Sequence, residues 1–290
     1  MKFFSCHAHS SLLILFLATM FLACGKEDDL AEYGITKGLA DFRSSTIASV
    51  NYDLSFHIPL NQEDSIMATE IVSFDFKDGA KDFILDFDAP RSNLHYLEIN
   101  GKESTGVFEN NHIVIDEALL RTKGNKLVLK FKAGDQSLNR NKDYLYTLFV
   151  PARASTCFPV IDQPDVKANY TLALDIPFNW KALANGTEKS VKTDNDRRLI
   201  QFEPTLKISS YLFAFVVGDF DIIEKEIDGN TMRMFHRETD SVKLHNSVNT
   251  IFDWHAKSLK WLERYTKIDY PFPKFDFALI PAFQYGGMEH

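Results

Sequence analysis

From about residue 46 to residue 221 apolar and polar side chains mostly alternate along the chain, the period-two repeat of strands with one dry and one wet face. In Lys126-Leu-Val-Leu-Lys-Phe-Lys132 the residues Leu127, Leu129 and Phe131 share one side, while Lys126, Lys130 and Lys132 share the other. Tyr170-Thr-Leu-Ala-Leu-Asp-Ile176 repeats the pattern. Further strands are predicted over 50–58, 69–76, 83–87, 94–99, 112–115 and 198–202, with Asn100-Gly101 and Asn185-Gly186 as turn signals between them. So many short strands at close spacing predict an antiparallel sandwich or saddle. The unbroken apolar run Tyr211-Leu-Phe-Ala-Phe-Val-Val217 reads as a strand buried on both faces.

After Asp228-Gly229 the period changes. Met232-Arg-Met-Phe235 is one more strand, and then Leu244, Val248, Ile251, Phe252, His255, Leu259 and Leu262 recur at spacings of three and four, the mark of an amphipathic helix. His255 lies on that stripe and reads as a histidine at the rim of a core, not as a ligand. His245 and His255 fall on different helix faces and cannot jointly clasp a metal. An all-β domain therefore gives way to an α/β domain near residues 222–230. The segment after about 230 is expected to be poorly packed and to expose Phe252, Leu259 and Leu262, because too few residues follow the boundary to bury the helix. There is no internal repeat and no low-complexity stretch.

The first residues read as an address, not as fold. Lys2 leads into Ser11-Leu-Leu-Ile-Leu-Phe-Leu-Ala-Thr-Met-Phe-Leu-Ala23, the length of a signal-peptide core and short for a bilayer crossing. Phe21-Leu-Ala-Cys24-Gly25 resembles the lipobox of bacterial lipoproteins, in which the cysteine is acylated; the other reading is a plain secretory signal with a chance cysteine. Lys26-Glu-Asp-Asp29 resembles the acidic tether of some Gram-negative lipoproteins, in some lineages a surface-export signal, and is otherwise a solvated linker. The expectation is an exported protein of the cell envelope, held on the outer membrane by lipid at Cys24. Removal of Cys6 and acylation of Cys24 leave Cys157 alone, so the mature chain has no intramolecular disulfide, and a lone cysteine is usually a small core residue.

Composition narrows the class. With 290 residues, 45% of them apolar, the chain can bury one large core or two modest ones. Its 25 Phe and 10 Tyr suit pleated sheets that pack ring against ring. A net charge of −8 with no cluster of Lys and Arg excludes a nucleic-acid surface.

Three stretches carry chemistry. Phe158-Pro-Val-Ile-Asp-Gln-Pro-Asp-Val-Lys-Ala168 resembles the F-P-C-F-D-E-P-x-x-K-A signature in the N-terminal domain of the aminopeptidase N family of zinc metallopeptidases. Tyr270-Pro-Phe-Pro-Lys-Phe-Asp276 resembles the Y-P-x-P-K-x-D run before that family's exopeptidase loop, and Gly286-Gly-Met-Glu-His290 matches its G-A-M-E-N loop in three of five places. The resemblance covers everything after about residue 45 and implies a saddle-like antiparallel β-sandwich followed by the start of an α/β thermolysin-like catalytic domain. The implied organisation is a signal peptide over 1–23, a lipid-anchored linker over 24–45, a β domain over 46–225, and over 226–290 a catalytic domain truncated at the exopeptidase loop.

The resemblance also implies a peptide substrate, bound by Gly286, Gly287, Met288 and Glu289. Two glycines let a substrate backbone lie along the loop like an added strand, and a glutamate just beyond can pair with the α-ammonium that only a chain terminus carries. Among the departures from the family pattern, His290 replaces Asn, and Val160, Ile161 and Gln163 replace Cys, Phe and Glu. Thr147-Leu-Phe-Val-Pro151 stands where the family has T-Q-x-E-P, so Val150 takes the place of a second acid. Zn2+ is implied by the family, which holds it with the two His of H-E-x-x-H and a later Glu and uses the motif's own Glu as base. None of the nine histidines stands in such a motif. The chain is accordingly expected to be the N-terminal portion of an aminopeptidase, inactive by itself. The alternative is a non-catalytic, lipid-anchored β module that binds peptides or a protein.

Overall fold

The computed structural model describes residues 30–281, 283, 285–288 and 290. Two helices, α1 Lys37–Thr46 and α2 Ser241–Thr266, accompany eighteen strands among the described residues. The first nine are β1 Ile47–His57, β2 Met67–Phe76, β3 Phe83–Asp86, β4 Leu94–Ile99, β5 Lys102–Glu103, β6 Val107–Glu109, β7 His112–Ile115, β8 Asn125–Lys132 and β9 Leu138–Arg140. There follow β10 Tyr144–Thr147, β11 Asn169–Pro177, β12 Lys181–Ala184, β13 Glu188–Asp194, β14 Arg197–Phe202, β15 Phe215–Gly218, β16 Asp221–Ile227, β17 Asn230–His236 and β18 Phe275–Ala278.

The strands form an eight-stranded sheet in the order β13-β14-β11-β1-β2-β8-β4-β5, a four-stranded sheet β12-β15-β10-β9, and the three-stranded sheets β3-β7-β6 and β16-β17-β18. Pairing is antiparallel except at two places. β1 and β11 run parallel from Asn51 opposite Asn169 to His57 opposite Asp175, and β17 runs parallel to β18. The largest sheet is therefore mixed within a mainly antiparallel β architecture. Periodicity sees the faces of a strand and not the direction of its neighbour, which is why the parallel pairs were invisible in the sequence.

The alternation does place the core. Leu127, Leu129 and Phe131 of β8 are fully buried while Lys126, Lys130 and Lys132 are exposed. Phe56 of β1 meets Phe215 of β15 at 5.3 Å between ring centroids, and Phe74 of β2 stacks on Phe83 of β3 at 4.1 Å. Sheet thus packs on sheet through aromatic rings, each buried ring contributing about 1.5–3 kcal/mol by leaving water. One apolar cluster runs from Ile47 to Val217.

A second cluster joins Met232 and Met234 of β17 to Val248, Phe252 and Ala256 of α2, with Phe275 and Phe277 of β18 packed against it. Here the expectation of poor packing holds only in part: Leu262 is exposed, with Trp254, Trp261 and Tyr265 of the same helix, but Phe252 is buried and Leu259 packs on the cluster. The reason is β18, which pairs with β17 and completes a floor beneath the helix. Asp240 caps α2 by accepting from the N–H groups of Val242 and Lys243, both at 3.0 Å, and Lys267 ends it in the left-handed region. Both clusters lie in one compact unit, Ala31–His290.

Three local readings are also corrected. Residues 37–45, assigned to a linker, belong to α1, because Thr36 caps the helix through the Leu39 N–H and Leu39 and Arg43 sink completely into the fold. The 211–217 run is a turn at Ser210–Leu212 before β15 begins at Phe215. Asn100-Gly101 makes the expected tight hairpin, both residues at positive φ, but Asn185-Gly186 does something else. Asn185 bonds the Ala214 N–H and the Leu212 carbonyl, and a Cβ on Gly186 would lie 2.1 Å from the Glu203 oxygen.

Candidate functional site

The exopeptidase-like loop leaves β18 and crosses toward β10. Leu279 donates its N–H to the Phe235 carbonyl at 2.8 Å, which keeps the chain beside β17. The Tyr144 hydroxyl then donates to the Pro281 carbonyl at 3.3 Å, and Phe283 sets its ring against Tyr146 at 5.6 Å and 65°. Gly286 and Gly287 follow in the open, with nothing within 4 Å of where a Cβ would stand. Neither has positive φ among the described residues, so what the pair offers is bare, accessible backbone. Met288 is half-buried, and Glu289 lies outside the described residues, as does Cys24.

The strand under the loop leads into the second segment of interest. β10 ends at Thr147, whose hydroxyl accepts the Phe215 N–H at 3.0 Å and donates to the Phe215 carbonyl at 3.3 Å. Val150, three residues on, is half-buried and brings no carboxylate. Loop and segment meet at Pro281 and Phe283, which contact Tyr144 and Tyr146 of the strand that runs into Thr147–Pro151.

The Tyr270–Asp276 motif ties the start of the loop into the fold. Asp276 is nearly buried and accepts from Arg233 Nη2 at 2.7 Å and from Lys274 Nζ at 2.9 Å. Arg233 reaches on to Glu188 at 2.8 Å, and Lys274 to the Ala184 carbonyl at 2.7 Å. Burial favours the neutral form of Asp276, but Arg233 and Lys274 outweigh it and hold the carboxyl below the usual range. Burial in the same network lowers the Lys274 ammonium. Tyr270 adds two ties, its N–H to Glu263 at 2.9 Å and its hydroxyl to the Lys274 carbonyl at 3.0 Å. The start of the loop is thus fastened to α2, β17 and β12 together.

The Phe158–Ala168 signature is equally structural. Phe158, Val160 and Ile161 are buried, and the Ile161 N–H donates to the Tyr52 hydroxyl at 2.9 Å. Asp162 accepts from the N–H and hydroxyl of Ser155, both at 3.0 Å, and from the Ser210 hydroxyl at 2.7 Å. Gln163 donates to the Ala40 carbonyl and the Ser44 hydroxyl, holding α1. Cys157 is fully buried, and burial pushes its thiol up, away from any nucleophilic role.

His255 stacks on Phe277 at 4.1 Å and donates from Nδ1 to the Ile251 carbonyl at 2.8 Å, the rim position expected of it. Among the described residues no three His, Cys, Asp or Glu side chains are grouped to hold a metal ion, and no helix is long and apolar enough to cross a membrane. Two buried polar features escaped sequence reading. One is the cluster of Arg43, Asp86 and His112; the other is Glu70, fully buried on β2 with neither carboxyl oxygen hydrogen-bonded. Glu70 sits on the inward phase of its strand, and a lone acid among inward positions was the signal available for it.

Residues 48–212 match the family described as the Peptidase M1 N-terminal domain, more than half of the chain. Similar proteins include Aminopeptidase N of Streptomyces lividans, 26% identical over 269 residues that cover 88% of this chain and 31% of that protein. Aminopeptidase M1 of Arabidopsis thaliana is 33% identical over 152 residues, 51% of this chain and 17% of that one. Endoplasmic reticulum aminopeptidase 1 of Mus musculus is 32% identical over 145 residues, 50% and 15% of the two chains. The matched region spans about a third or less of each relative's length.

Proposed function

We propose, from the premise that this chain belongs to the peptidase M1 family and carries its N-terminal domain, that it is the amino-terminal part of a zinc-dependent aminopeptidase removing residues singly from peptide N-termini. The observation that carries the reading is the seat of the loop. Phe283 anchors the loop on Tyr146 of β10, and the Gly286-Gly287 backbone beyond it is exposed, so that an extended peptide can lie along it. In this reading Glu289 pairs with the α-ammonium and makes the site sense a chain terminus. Val150 supplies no second acid, so the amine has one carboxylate partner from this chain in place of two.

Zinc would supply an activated water to such a site, but the residues present do not fit the metal. The sequence contains no H-E-x-x-H, and no suitable cluster occurs among the described residues. No hydrolytic step is assigned to these residues, and the chain by itself is inactive in this account. Division into a β domain and a catalytic portion is supported by the two separate apolar clusters, with β16, Asp221–Ile227, on the side of the second. Attachment to the outer membrane through Cys24 belongs to the same proposal and rests on the lipobox-like sequence.

Titrating the purified chain with a short peptide and with its N-acetylated form tests the reading. Weak binding that needs the free amine and is lost in Glu289→Ala is expected. Equal binding of both peptides, unchanged in the variant, removes the terminus-sensing role and favours the second reading, a non-catalytic binding module built on the self-contained cluster from Ile47 to Val217.

A further inference from the structure

Where the chain enters its fold, a buried histidine stands between two acceptors. His112, on β7, is almost fully buried. Its Nδ1 lies 2.8 Å from Asp86 Oδ1, and its Nε2 lies 2.9 Å from the Glu32 carbonyl oxygen. A carbonyl only accepts, so Nε2 must carry a hydrogen. The Asp86 carboxylate already takes Arg43 Nη1 at 2.9 Å, Arg43 Nη2 at 2.6 Å and the Asp162 N–H at 2.9 Å. Burial works against a charge on Asp86, but Arg43, His112 and the Asp162 N–H outweigh it and hold the carboxyl below its usual range, so Asp86 is ionised and the hydrogen it shares with His112 sits on Nδ1. Both ring nitrogens therefore hold hydrogens, and the ring is an imidazolium.

We propose that His112 is the pin of a pH-operated clasp: doubly protonated, it ties the Glu32 carbonyl to Asp86, and loss of one proton frees the segment 32–35 between buried Ala31 and the Thr36 cap. The proton that remains stays on Nδ1, facing the charged Asp86, and Nε2 then turns a lone pair toward the carbonyl lone pairs of Glu32. The attraction becomes a repulsion. Besides that bond, Asn110 Nδ2 holds the Ala31 carbonyl at 2.9 Å from an exposed side chain. Past Glu32 the segment is exposed from Tyr33 to Ile35, and Thr36 caps α1.

The groups that face the ring are Asp86 from β3, Arg43 from α1 and the Glu32 backbone; the Asp162 carboxyl lies behind Asp86, held by Ser155 and Ser210. Burial and Arg43 oppose the charge on His112, but the hydrogen bond and charge of Asp86 and the Glu32 carbonyl outweigh them and lift the ring above the ordinary value of 6.5. The sign follows: a folded-state value above the unfolded one makes the clasp complete below pH 6.5, and it is lost as pH rises through the folded value.

Histidine NMR of the full chain, with the Glu32 carbonyl carbon shift and chymotryptic cleavage after exposed Tyr33 followed over the same pH range, tests the proposal. The cleavage rate is taken relative to a free peptide of the same sequence. As His112 loses its proton, the Glu32 shift is expected to move with the same midpoint and cleavage to quicken about tenfold or more, the factor lost with one hydrogen bond to a charged group. His112→Gln should remove the pH dependence. Asn110→Ala, on an exposed residue that leaves the buried cluster whole, should keep the midpoint and enlarge the release. A Glu32 shift and cleavage rate that stay constant while His112 titrates would overturn the clasp, as would an Nε2 without hydrogen at low pH.

Discussion

At the scale of single residues, the sequence was most informative where a side chain only had to be wet or dry. Leu127, Leu129 and Phe131 fell on the buried face because alternation alone decides that. It was blind where a polar residue takes its partner from far along the chain, as Arg43 does from Asp86 and His112. Glu70 is the sharpest case. Burial without any hydrogen bond raises its carboxyl well above the ordinary 4.5, so the folded state holds a proton that the unfolded chain releases. Stability from Glu70 is therefore complete below pH 4.5 and is lost as pH rises through the folded value, at up to about 1.4 kcal/mol per pH unit for one proton. Glu70→Gln, which keeps the shape and cannot ionise, is expected to flatten that slope. Urea unfolding of both proteins from pH 5 to pH 9 checks this, and parallel curves would show that Glu70 is ionised in the fold as it is in the unfolded chain.

At the scale of elements, what was legible was the longer alternating strands and the helix stripe; what was not was the short strands, β18 among them, and the helix α1. Phe275-Asp-Phe-Ala278 is too short and lies too close to two prolines to announce a strand, yet pairing with β17 turns it into the floor under Phe252. Phe252→Ala is accordingly expected to destabilise the chain by about 3–5 kcal/mol, as emptying a buried aromatic site does. A loss below about 1 kcal/mol in denaturant melts would mean that α2 is loosely docked. The Tyr270–Asp276 motif read as a signpost and proved to be a fastening. Asp276→Ala leaves Arg233 and Lys274 without their shared carboxylate, with an expected cost of about 3 kcal/mol. Faster hydrogen exchange in β17 and β18 than in β8 should accompany it.

At the scale of the whole molecule, the fold class and family were legible because three motifs stand in order along one chain, and residues 48–212 match the M1 N-terminal domain. Which strands run parallel and how the loop is seated were not, since both depend on contacts between distant segments. If Cys24 is the lipid anchor, Cys24→Ser should shift the protein from the membrane fraction to the soluble fraction. Continued sedimentation with membranes would defeat the lipoprotein reading.

The central claim is that these residues build a platform and part of a terminus-sensing pocket but hold neither the metal nor the base of hydrolysis. Metal analysis of the purified 290-residue chain after incubation with zinc and desalting, paired with an amino-acid anilide assay, addresses it most directly. Zinc well below one ion per molecule and no turnover above buffer are expected. One tightly retained zinc per molecule with anilide turnover would contradict the account.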